Sequence, residues 1–93
     1  MTGSSPVRRR VEVTGRVQGV FYRDTCRQEA DGAGVTGWVR NRDDGSVEAV
    51  FEGPAPAVEA MVSWSRRGPA QAHVDAVDVH DEPTEGLDRF TVS

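Results

Sequence analysis

The chain contains no lysine, one cysteine, and no apolar run near the roughly 18 residues that a membrane-crossing helix requires. The last absence removes a helical membrane span. The lone cysteine, Cys26, has no partner for an intramolecular disulfide, which suits a reducing compartment. It also lacks the arginine that a cysteine-phosphatase loop places six positions on, because that position is Gly32. Cys26 therefore reads as a small, partly buried helix residue. No loop ends in Gly-Lys-Ser/Thr, so a nucleotide cradle of that kind is unsupported. His73 and His80 stand seven apart with no cysteine or histidine cluster around them, and no metal-ligand spacing results. The opening residues, Met1 to Pro6, have neither the charged nor the apolar region of a secretory signal. They read as a flexible tail, with the cytoplasm as the expected location. The missing lysine carries no functional reading.

What is present fits one domain, expected over residues 7–93: 93 residues allow a modest core and are too few for two. The net charge is −4, but its sign is unevenly spread. Residues 1–42 hold eight arginines against four acids, and residues 43–93 hold three against eleven. Positive potential therefore gathers in the first half, and for a small anionic ligand the local field matters more than the total.

Val11 and Val13 alternate with Arg10, Glu12 and Thr14, which predicts a half-exposed strand over Val7 to Thr14. Its Arg8-Arg9-Arg10 run could mark a nucleic-acid patch, but a solvated edge suits so short a basic run better. Tyr22, Cys26, Ala30 and Ala33 recur at helical spacing and predict an amphipathic helix closed by Gly34. Val35 to Asn41 and Ser46 to Glu52 read as a hairpin around Arg42-Asp43-Asp44-Gly45, with Val47, Ala49 and Phe51 on one face and Glu48 and Glu52 on the other. Gly53-Pro54-Ala55-Pro56 opens a second helix, from about Ala57 to Arg67, which Gly68-Pro69 stops. His73 to Glu82 reads as a fourth strand, and Phe90 and Val92 as a short final strand or extension. Asp75, Asp78, Asp81 and Glu82 read as a solvated acidic face. Strand, helix, hairpin, helix, strand is the split βαβ plan, an α+β, ferredoxin-like (βαββαβ) antiparallel sheet with both helices on one face.

The stretch Gly15-Arg16-Val17-Gln18-Gly19-Val20-Phe21-Tyr22-Arg23 joins the first strand to the first helix. Unpaired N–H groups of such a loop and first helical turn converge, and the helix dipole adds positive charge, so anions are held there. Arg23 falls where its guanidinium reaches back over the loop, in a form suited to bidentate phosphate contact. A tight turn with a solvated arginine is the bland alternative. The nine-residue string resembles the first signature of the acylphosphatase family, with Tyr22 where Phe is usual. Gly37-Trp38-Val39-Arg40-Asn41, followed at the right spacings by Gly45, Val47 and Gly53, resembles the second. Gly68-Pro69-Ala70, with Val74 and Val77 beyond, is similar too, and the resemblance covers about residues 7–92.

The resemblance implies that the backbone of Arg16, Val17, Gln18, Gly19, Val20, Phe21 and Tyr22 cradles phosphate. It implies that Arg23 is the catalytic arginine and that Asn41 holds the attacking water. A carboxamide suits that task because it accepts from water and donates to a phosphoryl oxygen; residue mechanics alone favour Asn41 as a strand cap or turn residue. The implied reaction is metal-independent hydrolysis of a carboxylic–phosphoric anhydride, with no cofactor and a small-molecule acyl phosphate as substrate. A monomer is expected, without nucleic acid or membrane. Similar domains occur fused to carbamoyl-transferring maturation enzymes, and the free-standing form is the expectation here. The competing class is a non-catalytic anion- or RNA-binding module of the same fold. RNA readers of that type stack bases on aromatics of two central strands, and here the first strand has none.

Overall fold

The computed structural model describes residues 5–93, so most of the tail expected over residues 1–6 lies outside the described residues. The elements are β1 (Val7–Arg16), α1 (Tyr22–Ala33), β2 (Thr36–Asn41), β3 (Val47–Gly53), α2 (Ala55–Arg67), β4 (His73–Glu82) and β5 (Phe90–Val92). Gly34 ends α1 in the left-handed conformation, its N–H bonding back into the last turn. Pro56 occupies the first turn of α2, where its missing N–H has no intrahelical acceptor to lose.

The sheet order is β4-β1-β3-β2-β5. Both helices cover one face, α2 over β1, β3 and β4, and α1 over β2 and β5. Val11, Val13, Val39, Val47, Ala49 and Phe51 point from the sheet into this layer. There they meet Tyr22, Cys26 and Ala30 of α1 and Val58, Met61, Val62 and Trp64 of α2. Every pairing among β1 to β4 is antiparallel. The expected all-antiparallel sheet needs one correction: β5 runs parallel to β2. The chain reverses after β4, and β2 already runs opposite to β4, so a reversed strand on the far edge lies along β2.

A second correction concerns the arginine run. β1 is an interior strand, and Arg8 is buried rather than solvated. Cross-strand register sets Arg8 between Glu52 and Glu82, and Arg10 near Glu12, Glu48 and Glu82. Glu82 thus belongs to an ion-pair layer on the outer face of the sheet, whereas Asp75 and Asp78 are exposed as expected. Glu48 and Glu52 do point away from the helices, but the arginines cover them.

This topology fixes where a site can form. β1, β2 and β5 all run the same way, so Arg16, Asn41 and Ser93 arrive together at one end of the sheet, where α1 begins.

Candidate active site

At that end β1 leaves the sheet through a bulge between Thr14 and Gly15. Gly15 has φ 125°, and a β-carbon there would lie 2.2 Å from the carbonyl oxygen of His73. Only glycine lets β1 stay this close to β4 as it turns into the loop. The loop over residues 17–21 then passes through two left-handed residues, Gly19 (φ 73°) and Phe21 (φ 64°). Among the described residues, no backbone hydrogen bond outside the regular elements uses an N–H of residues 17–21 as donor. The N–H groups of the first turn of α1 have no intrahelical acceptor, and Phe21 gives that turn no side-chain cap. A run of unspent donors therefore lies at the positive end of a helix dipole.

Buried side chains anchor the loop from beneath. Val17 and Val20 enter the core, and Tyr22 packs its ring on Trp64 at 5.1 Å between centroids. The Tyr22 hydroxyl donates to the carbonyl of Ser65 at 2.9 Å, serving a last-turn carbonyl of α2 that lacks a helical partner. Burial pushes the Tyr22 hydroxyl pKa above its ordinary value, so it stays a neutral donor. Burial likewise raises the Cys26 thiol, which suits a packed side chain and not a nucleophile.

Arg23 stands half-buried on the first turn of α1, and its Nη1 donates to the backbone oxygen of Ser93. Ser93 is fixed in turn by its N–H, which donates to Val39 at 3.0 Å. Among the described residues neither Arg16 nor Arg23 forms an ion pair with a side chain. Asn41 ends β2, exposed, opposite Val47. One cleft of about 200 Å³ is lined by Val17, Gly19, Phe21, Tyr22, Arg23, Asp24 and Asn41, which joins residues of both motifs. A more open hollow of about 390 Å³ flanks Asn41 on its other side, between Arg40 and Asp44. Of the cradle residues expected from the sequence, Arg16, Gln18 and Val20 do not line the cleft.

Two contributors escaped the sequence reading. Gln18 was read for its backbone alone, yet its side-chain Nε2 donates to the carbonyls of Arg42 (2.8 Å) and Ser46 (2.9 Å). It ties the loop to the β2–β3 turn beside Asn41. Ser93 is the other, as the acceptor for Arg23. Neither role has a local signal, because each bond spans a gap closed only by the fold. Among the described residues no group of three His, Cys, Asp or Glu side chains is placed to hold a metal ion, and no helix is long and apolar enough to cross a membrane.

The sequence model of the family described as Acylphosphatase matches residues 9–92. The acylphosphatase of Rubrobacter xylanophilus is 57% identical over 77 residues, covering 83% of this chain and 70% of that one. That of Haloarcula marismortui is 56% identical over 85 residues, covering 91% and 93%. The structure of an acylphosphatase from Coxiella burnetii superposes with a TM-score of 0.91 at 35% identity, covering 95% of this chain and 93% of that one. The family favours the catalytic reading over a binding module of the same fold. With the family model spanning nearly all of it and close relatives matching at over half their residues, the chain belongs to the acylphosphatase family.

Proposed function

We propose that this protein hydrolyses small acyl phosphates to carboxylate and inorganic phosphate, with residues 16–22, Arg23 and Asn41 as its working parts. Backbone N–H groups of the loop and the Arg23 guanidinium hold the phosphoryl oxygens, each charge-assisted bond contributing about 1.5–3 kcal/mol. Asn41 accepts from a water molecule and aims its oxygen at phosphorus. The new P–O bond forms as the bond to the acyl oxygen breaks, and the electron pair leaves with the carboxylate. That leaving group is a weak base and needs little general-acid help, so positioning and charge stabilisation suffice. A phosphoryl oxygen of the substrate takes the water's proton.

One observation supports this reading: Arg23 and Asn41 line one cleft with residues of a loop whose N–H groups donate to no partner among the described residues. The substrate is a diffusible small molecule and the enzyme a cytoplasmic monomer that uses no nucleic acid. Two features support the monomer: the outer sheet face carries paired charges, and the edge strand β4 carries exposed Asp75 and Asp78, which discourage edge pairing. The test is phosphate release from benzoyl phosphate against a phosphate monoester, with and without a chelator. The anhydride is expected to turn over, the monoester not, and the chelator to change nothing. Full turnover by Arg23→Ala or Asn41→Ala protein with unaltered circular dichroism would overturn the assignment.

A further inference from the structure

Phe21 is the large apolar side chain most exposed among the described residues, at 68%. It also has, among the described residues, the only positive φ outside glycine, at 64°. A bulky residue is disfavoured in the left-handed region, and an aromatic ring left in water forgoes its burial. The fold asks for neither. Glycine or asparagine would make the same backbone step more readily, and Val17, Val20 and Tyr22 already fill the core beneath. Both oddities fall on the rim of the cleft shared by Arg23 and Asn41.

We infer that the Phe21 ring is a platform for the acyl group, giving the enzyme a preference for acyl phosphates with an aromatic or extended apolar acyl moiety. This rests on the phosphoryl position proposed above. With the phosphoryl group on the loop N–H groups, the acyl carbon lies one bridging oxygen away from phosphorus. The buried floor of Val17, Val20 and Tyr22 leaves it no room inward, so it projects toward the rim. There Arg23, Asp24 and Asn41 are polar or charged, and Phe21 supplies the apolar surface. A ring stacked on Phe21 buries two apolar faces at once, whereas a methyl group covers little of it.

The test compares wild type, Phe21→Asn and Phe21→Tyr. Asparagine tolerates the left-handed conformation and removes the ring, whereas tyrosine keeps the ring. The quantity read is kcat/KM for benzoyl phosphate divided by kcat/KM for acetyl phosphate. In this ratio any change in the loop's hold on the phosphoryl group cancels. The ratio is expected to fall about fivefold to tenfold in Phe21→Asn, through KM for benzoyl phosphate, and to return to within about twofold of wild type in Phe21→Tyr. An unchanged ratio in Phe21→Asn, or an equal fall in Phe21→Tyr, overturns the platform. If wild type turns over both substrates with phosphate as competitive inhibitor and the ratio does not move, the platform alone fails. If Arg23→Ala retains full turnover, the phosphoryl site fails and the platform with it.

Discussion

The chain builds two concave sets of backbone N–H groups, and they differ in what fills them. Over residues 85–87 the N–H groups of Glu85, Gly86 and Leu87 donate to the Glu52 carboxylate at 2.9, 2.7 and 3.0 Å. Arg8, buried beside it, adds an ion pair at 3.4 Å. Over residues 17–21 the N–H groups meet no such side chain, and Arg23 beside them pairs with no side-chain carboxylate among the described residues, its Nη1 donating instead to the backbone oxygen of Ser93. The physics of the two sets is the same, converging donors next to a guanidinium. In the first the anion is the protein's own, and the result is a fastening between β3 and the segment leading to β5. In the second the capacity is unspent, and the proposed ligand supplies the charge.

The largest effect expected is at the unfilled set. Arg23→Ala should lower kcat/KM for an acyl phosphate by on the order of a thousandfold, since it removes a bidentate grip on developing charge. Its melting temperature should barely move, because the one hydrogen bond of its guanidinium among the described residues is to the backbone oxygen of Ser93. Arg23→Lys should fail nearly as badly, an ammonium being unable to reproduce the planar fork. Phosphate release and thermal denaturation of the same preparations check both halves.

The filled set should respond the other way round. Glu52→Ala leaves Arg8 partly unpaired inside the sheet face and frees three N–H groups, a loss of about 3 kcal/mol in unfolding free energy. Urea titration measures it. At a temperature where the variant is folded, its turnover should fall far less than that of Arg23→Ala. A collapse of turnover to the Arg23→Ala level would show that the 85–87 fastening reaches the active site through β5 and Ser93, merging the two regions.

How much of this contrast was legible beforehand depends on distance along the chain. The helices and the hairpin at Asp44-Gly45 follow from local spacing, and each appears where the pattern predicts it. That the Gly15–Arg23 stretch and Asn41 belong together was legible only through the resemblance to two family signatures, and residues of both line one cleft. The Arg8-Arg9-Arg10 run does not behave as its local pattern suggests. Its carboxylate partners reach as far along the chain as Glu82 and Glu85, and only strand order brings them near. An arginine on an interior strand and one on an edge look identical until the neighbour of that strand is known. The same limit hid Gln18, whose acceptors are 24 and 28 residues on. It also hid the direction of β5, which depends on the path after β4.

The outer layer also predicts a response to acid. In Glu82, hydrogen bonds from Arg10 and Arg8 hold the carboxyl below its ordinary pKa, and in Glu12 the bond from Arg10 does the same. In Glu52 burial opposes ionisation, but the three N–H groups and Arg8 together outweigh it and leave the pKa lowered. A depressed folded-state pKa means that the unfolded chain binds protons first as pH falls. The stability from these three groups is therefore complete above the ordinary glutamate value of about 4.3 and is lost below it, down through the folded-state values. Unfolding free energy measured against pH should be level just above that point and decline below it. The decline should be shallower in Glu52→Ala, and an identical slope in the two proteins would detach Glu52 from the acid response.

The smallest effect expected sharpens the contrast on a single helix. Arg27 lies one turn beyond Arg23 on α1 and approaches Asp31 at 3.7 Å, with both side chains 59% exposed. An i,i+4 pair in full contact with water contributes only about 0.3–0.5 kcal/mol and is weakened by salt. Alanine is also the better helix former, which offsets part of that loss. Arg27→Ala should therefore shift unfolding free energy by less than about 0.5 kcal/mol and leave phosphate release as it was. The two substitutions remove the same charge from the same helix, four residues apart, so general positive potential near the cleft changes similarly in both. If Arg27→Ala lost turnover on the scale of Arg23→Ala, diffuse charge and not a specific grip would be what the cleft needs. A silent Arg27→Ala beside an inactive Arg23→Ala would locate the requirement in the Arg23 side chain, which lines the cleft with the loop.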